Sequence, residues 1–189
     1  MFILAAIPIG ILLGLILGGS VAGLTELRLR WVPLLLLGLL AQLAIFSAPF
    51  DSLAGEGGPA IYVASTALVL AAVVRNIAVP GMWLVALGAG CNLAAIVANG
   101  GFMPADASAI ASIGGLGPGY SNSVVLEDPA LRPLTDIFAM PAWLPFANVF
   151  SIGDVLLGLG IAAVIALAMR RGARAGAAGS DRSAADVAT

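Results

Sequence analysis

Five apolar runs constrain this chain more than anything else in it: residues 2–18, 31–48, 59–74, 79–98 and 152–169. About 20 apolar residues cross the hydrocarbon core of a bilayer. In lipid an isolated strand would leave its backbone groups bare, so any run that crosses must be a helix. The charge content points the same way. Only 10% of residues are charged and 61% are hydrophobic, against about 25% charged in a soluble domain. So few charges cannot cover a water-facing surface. The expected fold class is all-α, a polytopic membrane helix bundle of about five transmembrane helices, multi-pass in the plasma membrane.

Charge bias orients the bundle. All eight cations are Arg. Arg28 and Arg30 follow the first run, Arg75 follows the third, and Arg170, Arg171 and Arg174 follow the fifth. The second and fourth loops are net acidic; the second carries Asp51 and Glu56 and no cation. Cytoplasmic loops carry the Arg excess, so the expected topology is N-terminus outside and C-terminus inside. The first run lacks the positive n-region of a signal peptide and is read as a retained helix. Residues 1–171 then form the membrane domain, with 99–150 as an external loop. Residues 172–189 are small and polar and are read as a disordered cytoplasmic tail.

The composition also removes several kinds of chemistry. With no His and no Lys, Ser-His-Asp and Cys-His catalysis, Ser-Lys dyads, Schiff bases and His-ligated metal sites are all excluded within this chain. No metal or other cofactor is expected. Eight scattered arginines and a net charge of −2 provide no basic patch for nucleic acid. Membrane lipid is the one partner the composition demands. Cys91 is alone and lies in an apolar run, which suits a small buried hydrophobe. Gly10, Gly14 and Gly18 share one helix face, where a neighbouring backbone can come close. Gln42, and the Cys91-Asn92 pair, read as polar glue between helices.

The fourth loop, 99–150, is too long for a simple connector and too apolar for disorder. It is expected to cap the outer face, with a short helix in ADASAIASI and Trp143 at headgroup level. By this topology Asn99, Asp136 and Asp154 all lie at the outer interface. Pro141 and Pro145 allow the segment between the two aspartates to fold back. Two carboxylates brought together cannot both ionise easily, so one pKa rises. Such a pair can activate water against a carbonyl, one acting as base and the other as acid.

FSIGD, residues 150–154, resembles the Phe-Asn-x-Ala-Asp motif that opens the last membrane helix of the type II lipoprotein signal peptidases. In that family a second catalytic aspartate lies a little under 20 residues upstream, where Asp136 stands here. NGGFMP, residues 99–104, resembles its Asn-x-Gly-x-x-Phe motif. The resemblance implies an aspartic membrane hydrolase with Asp136 and Asp154 as catalytic residues. It also implies substrate contacts from Asn99, Asn148 and Ser151, and a lipid-linked or membrane-anchored substrate. The Gly-Asn-x-x-Asp-Arg motif of those enzymes has no counterpart here. The chain as a whole is similar to a family of uncharacterised bacterial multi-pass membrane proteins, a domain of unknown function. Asn-Gly-Gly-x-Met-Pro and Asn-Val-Phe-Ser-Ile-Gly-Asp patterns mark that family, and residues 99–104 and 148–154 match them.

A plainer reading covers the same residues. Ser151-x-x-Asp154 before an apolar run is a capping box, with Asp154 facing the positive helix end. Asn148 could cap the same turn, and Asn99-Gly100-Gly101 reads as a helix C-cap. On this reading the chain is a non-enzymatic membrane subunit whose external cap binds a protein partner. Asp136 has no structural role to explain it.

Overall fold

The computed structural model describes residues 2–45, 57–115, 123–144 and 147–187. Asp51, Glu56, Pro145 and Phe146 therefore lie outside the described residues. Each of the five apolar runs contributes a helix: α1 (Ala6–Ile16), α2 (Val32–Ile45), α3 (Gly58–Arg75), α4 (Met82–Ala98) and α6 (Ile152–Val187). Between the last two come α5 (Ala107–Ser112) and four two-residue strands, β1 (Met103–Pro104), β2 (Ser123–Val124), β3 (Phe138–Ala139) and β4 (Val149–Phe150). Two helical stretches, Gly58–Arg75 and Ile152–Ala173, are long and apolar enough to cross a membrane. Three others, Ile3–Ile16, Val32–Ile45 and Met82–Ala98, are apolar but shorter. The chain is mostly helical, as its pattern requires.

The helices pack as a row. α6 lies against both α1 and α4, α4 against α3, and α3 against α2. The close contacts use small residues. A Cβ on Gly10 would come within 2.9 Å of Ala162 Cα, and one on Gly14 within 2.5 Å of Met169 Sδ. The glycine face of α1 thus meets α6, whereas Gly18, at φ 74°, sits in the turn that ends the helix, where an added Cβ would meet open space. Gln42 in α2 donates from Nε2 to Thr66 Oγ1 in α3 at 3.1 Å, the polar glue expected of it. The helices at the two ends of the row turn leucine and isoleucine outward, with Ile16 70% and Leu43 66% exposed.

α6 continues to Val187, through the segment read above as a disordered tail. The alanines at 173, 175, 177 and 178 explain this locally, since Ala is the strongest helix former.

The segment between α4 and α6 is tied down by short backbone pairings. α4 ends at Asn99, and Gly100 and Gly101 follow at φ 70° and 91°, with Gly101 N–H donating back to Ile96 C=O at 2.8 Å. This is the left-handed C-cap that the Asn-Gly-Gly sequence calls for. β1 pairs in parallel with β2, and Ala105 bridges in parallel to Asp136. β3 and β4 pair antiparallel, Phe138 opposite Phe150 and Ala139 opposite Val149. The short helix expected in ADASAIASI is α5, capped by Asp106, whose Oδ1 accepts from Ser108 and Ala109 N–H.

Candidate functional site: two aspartates at the start of α6

The β3–β4 pairing decides where Asp136 goes. Phe138 lies opposite Phe150, and the two rings stack with centroids 5.5 Å apart. Carried two residues further, the same register sets Asp136 level with Ile152 at the start of α6. The Asp136 backbone is anchored on its other side: its N–H donates to Pro104 C=O at 2.9 Å, and its C=O accepts from Asp106 N–H at 3.0 Å. Both backbone groups are satisfied, so the residue is held rigidly.

The Asp136 side chain is in the opposite condition. The residue is 6% exposed, and Oδ1 has no hydrogen-bond partner. Burial, and after it the negative charge of Asp154, push the Asp136 carboxyl up to about 7. Removing a carboxylate from water without a partner is expensive, and the group responds by holding its proton.

Asp154 is fully engaged. Ser151 Oγ accepts from Asp154 N–H at 3.0 Å, and Asp154 Oδ2 accepts from Ser151 N–H at 3.1 Å. That reciprocal pair is the capping box read from the sequence. A third residue completes it. Asn92 in α4 donates from Nδ2 to Asp154 Oδ1 at 2.8 Å, and its own Oδ1 accepts from Ser151 Oγ at 2.9 Å. Gly153 makes this possible, because a Cβ there would occupy the position of Asn92 Oδ1. Gly88 and Gly153 also allow the α4 and α6 backbones to approach; a Cβ on Gly88 would lie 2.5 Å from Gly153 C=O.

The other residues singled out in the sequence do different work. Ser151 is fully buried and is part of the Asn92–Asp154 network. Asn99 is a clamp: Nδ2 donates to Ala95 C=O at 2.8 Å and Ala130 C=O at 2.9 Å, and Oδ1 accepts from Ala130 N–H at 2.9 Å. It fastens the loop to the end of α4. Seven residues of α4, about 10 Å of helix rise, separate it from Asn92. Asn148 Oδ1 accepts from Val149 N–H at 2.9 Å, a local turn outside the α6 cap. Asn92 is the polar glue between helices that the sequence suggests, and what the sequence does not show is that it joins the α6 cap. An amide inside an apolar helix marks a helix contact, but its partner lies 62 positions away.

Beside Asp136, Ile137 joins Asp106, Ser108, Arg132 and Pro133 around an open depression of about 390 Å³. Arg132 and Asp106 form an exposed ion pair across it at 3.4 Å. Among the described residues no group of three or more Cys, Asp or Glu gathers as a metal site requires.

A family described as a family of unknown function, DUF5317, matches residues 26–166 of the chain. The chain belongs to this family. The DUF5317 match takes in Asn92, Asn99, Asp136, Asn148, Ser151 and Asp154, and it begins after α1. Neither the curated proteins nor the solved structures contain a match. Membership of DUF5317 brings no activity with it, so function has to be argued from the two aspartates.

Proposed function

We propose that the chain is an aspartic hydrolase of the outer membrane face, acting on a lipid-linked or membrane-anchored substrate. The observation that carries this reading is the contrast between two neighbouring carboxyls. Asp136 is buried, has an unpartnered oxygen and is pushed up to about 7. Asp154 accepts hydrogen bonds on both oxygens. A buried carboxyl that holds its proton to near neutral pH, beside a second carboxyl, is what a general acid requires. Each Asp154 oxygen has a second lone pair, so a water can be held there. In this scheme the Asp154 carboxylate takes a proton from that water as its oxygen attacks an amide or ester carbonyl. Protonated Asp136 gives its proton to the leaving group. The products are a carboxylic acid and a free amine or alcohol. The Asp136 carboxyl is buried, so on this reading a rearrangement beside it admits the substrate.

Five spans, with the N-terminus outside, belong to the same proposal. The outward leucines at both ends of the helix row and the Arg bias of the odd-numbered loops support it. Single cysteines at Asp106 and Arg171 should then be labelled by an impermeant maleimide from opposite sides of the membrane.

The enzyme reading is tested by comparing membrane-protein fragments in cells expressing the wild type, Asp136→Asn or Asp154→Asn. Fragments that accumulate with the wild type should be lost with either variant. A folded Asp136→Asn protein that yields the same fragments ends the proposal. The completed capping network favours a second reading, a non-enzymatic subunit in which Asp154 only fastens α6 to α4. Under it Asp154→Asn lowers stability, Asp136→Asn leaves function intact, and a stoichiometric partner co-purifies.

A further inference from the structure

A second site lies at the far end of the bundle. Asp154 and Arg171 are 17 residues apart on α6, about 25 Å along the helix. Around Arg171 opens a cavity of about 460 Å³, within the ~300–1,000 Å³ span of small-molecule sites. Arg28, Arg30, Arg75 and Arg171 line it, with Glu26 as the one acid. They come from three separate parts of the chain: the segment before α2, the end of α3, and α6. Among the described residues the one ion pair is Arg132–Asp106, so none of these four arginines forms an ion pair with a described carboxylate.

The wall between them is built rather than incidental. Asn76, 6% exposed, accepts from Arg30 N–H at 2.7 Å and donates to Arg30 C=O at 2.8 Å and Ala72 C=O at 2.7 Å. This clasp fixes the backbone of Arg30 beside the end of α3, where Arg75 is the last residue. Arg75 alone would need no explanation, because a cation suits a helix C-terminus. Four exposed arginines and one acid line this single concavity, so an anion entering it meets an excess of positive charge.

We propose that this cavity binds a phosphate group. The planar fork of Arg matches phosphate oxygens two at a time, and four forks exceed what Glu26 can satisfy. The phosphate of an anionic phospholipid headgroup and that of a soluble phosphate compound present the same oxygens. The lipid source rests on the membrane reading above; the soluble source does not.

The test uses the full-length protein in nanodiscs of pure phosphatidylcholine. Either phosphatidylglycerol is added to the discs, or pyrophosphate to the buffer, and the melting temperature and bound ligand by native mass spectrometry are followed. Selective retention of phosphatidylglycerol identifies a headgroup site; retention of pyrophosphate identifies a soluble one. Each arginine removed should weaken binding about tenfold, the size of one charge-assisted hydrogen bond. Arg28→Gln with Arg75→Gln should therefore abolish the effect, with helical content unchanged by circular dichroism. Arg28→Gln alone serves if the double variant does not fold. Arg170→Gln is the control, since it removes an equal charge beside Arg171 but outside the cavity lining. The proposal is overturned if neither ligand is retained, or if Arg170→Gln weakens retention as much as Arg28→Gln.

Discussion

Asn92 Nδ2 reaches Asp154 Oδ1 at 2.8 Å, and the same amide accepts from Ser151 Oγ at 2.9 Å. One side chain in the middle of α4 therefore holds both ends of the box that starts α6. Asn92→Leu removes the Asn92 hydrogen bond to Asp154 Oδ1 and leaves a half-buried carboxyl with one partner fewer. We expect a loss of about 1–3 kcal/mol, read as a lower unfolding midpoint. Asn92→Asp should be worse, because it sets two carboxylates face to face.

The capping box has its own measurable weight. Ser151→Ala removes the acceptor for Asp154 N–H and the donor to Asn92. N-cap replacements cost about 1 kcal/mol, and the second lost bond should bring the total to about 2 kcal/mol. Helical content should otherwise persist. An unchanged midpoint would show that α6 is held by its packing alone.

Gly153→Ala tests geometry rather than chemistry. Its new methyl would fall on Asn92 Oδ1 and crowd Gly88 C=O. Overpacking of this kind costs about 1–3 kcal/mol. Pairing it with Asn92→Ala should recover part of the loss, and a double-mutant cycle measures how much.

Asp136 predicts a pH dependence with a definite sign. Its carboxyl is raised from 3.8 to about 7, so the folded chain binds that proton more tightly than the unfolded one. The stabilising contribution is fully present below pH 3.8 and is lost as pH rises through about 7. The span of that loss is on the order of a few kcal/mol. With no His in the chain, no other side chain has an ordinary pKa between about 5 and 8. Melting temperature should thus fall across that window for the wild type and stay nearly flat for Asp136→Asn. The variant should also be the more stable protein at neutral pH. A parallel fall in both would place the titrating group elsewhere.

Asn99 separates fastening from substrate binding. Asn99→Ala deletes both side-chain bonds to Ala130, so amide exchange around residues 130–136 should accelerate. If Asn99 only clamps the loop, an anchor placed elsewhere between residues 99 and 130 should restore whatever the variant loses. A defect that such an anchor leaves in place would assign it a direct role at the substrate.

Several of these features were legible in the sequence because each is local. The spacing Ser151-x-x-Asp154, the Asn-Gly-Gly terminator of α4 and the Gly10/Gly14 face of α1 are decided within one or two turns of helix. The association of Asp136 with the start of α6 was legible only as a question. It depends on β3 and β4, two residues each, which are too short to carry a periodic pattern. Asn92 was legible as a helix contact and not as the partner of Asp154, because which helix lies beside which is a property of the assembled row. The placement of the arginines along the sequence bears on orientation, and nothing in their spacing shows that Arg28, Arg30, Arg75 and Arg171 line one cavity.

The row of helices has a consequence for how the molecule comes into being. In chain order α6 follows the other four long helices, yet in space it stands between α1 and α4. The slot that α6 fills between α1 and α4 is therefore bounded by helices made before it. Gly10, Gly14, Gly88 and Asn92 all face that slot. Asp154 arrives on the helix that fills it, so the Asn92–Asp154 hydrogen bond has nothing to form with until α6 is made. The junction that fastens α6 to α4 therefore closes only as the last helix docks.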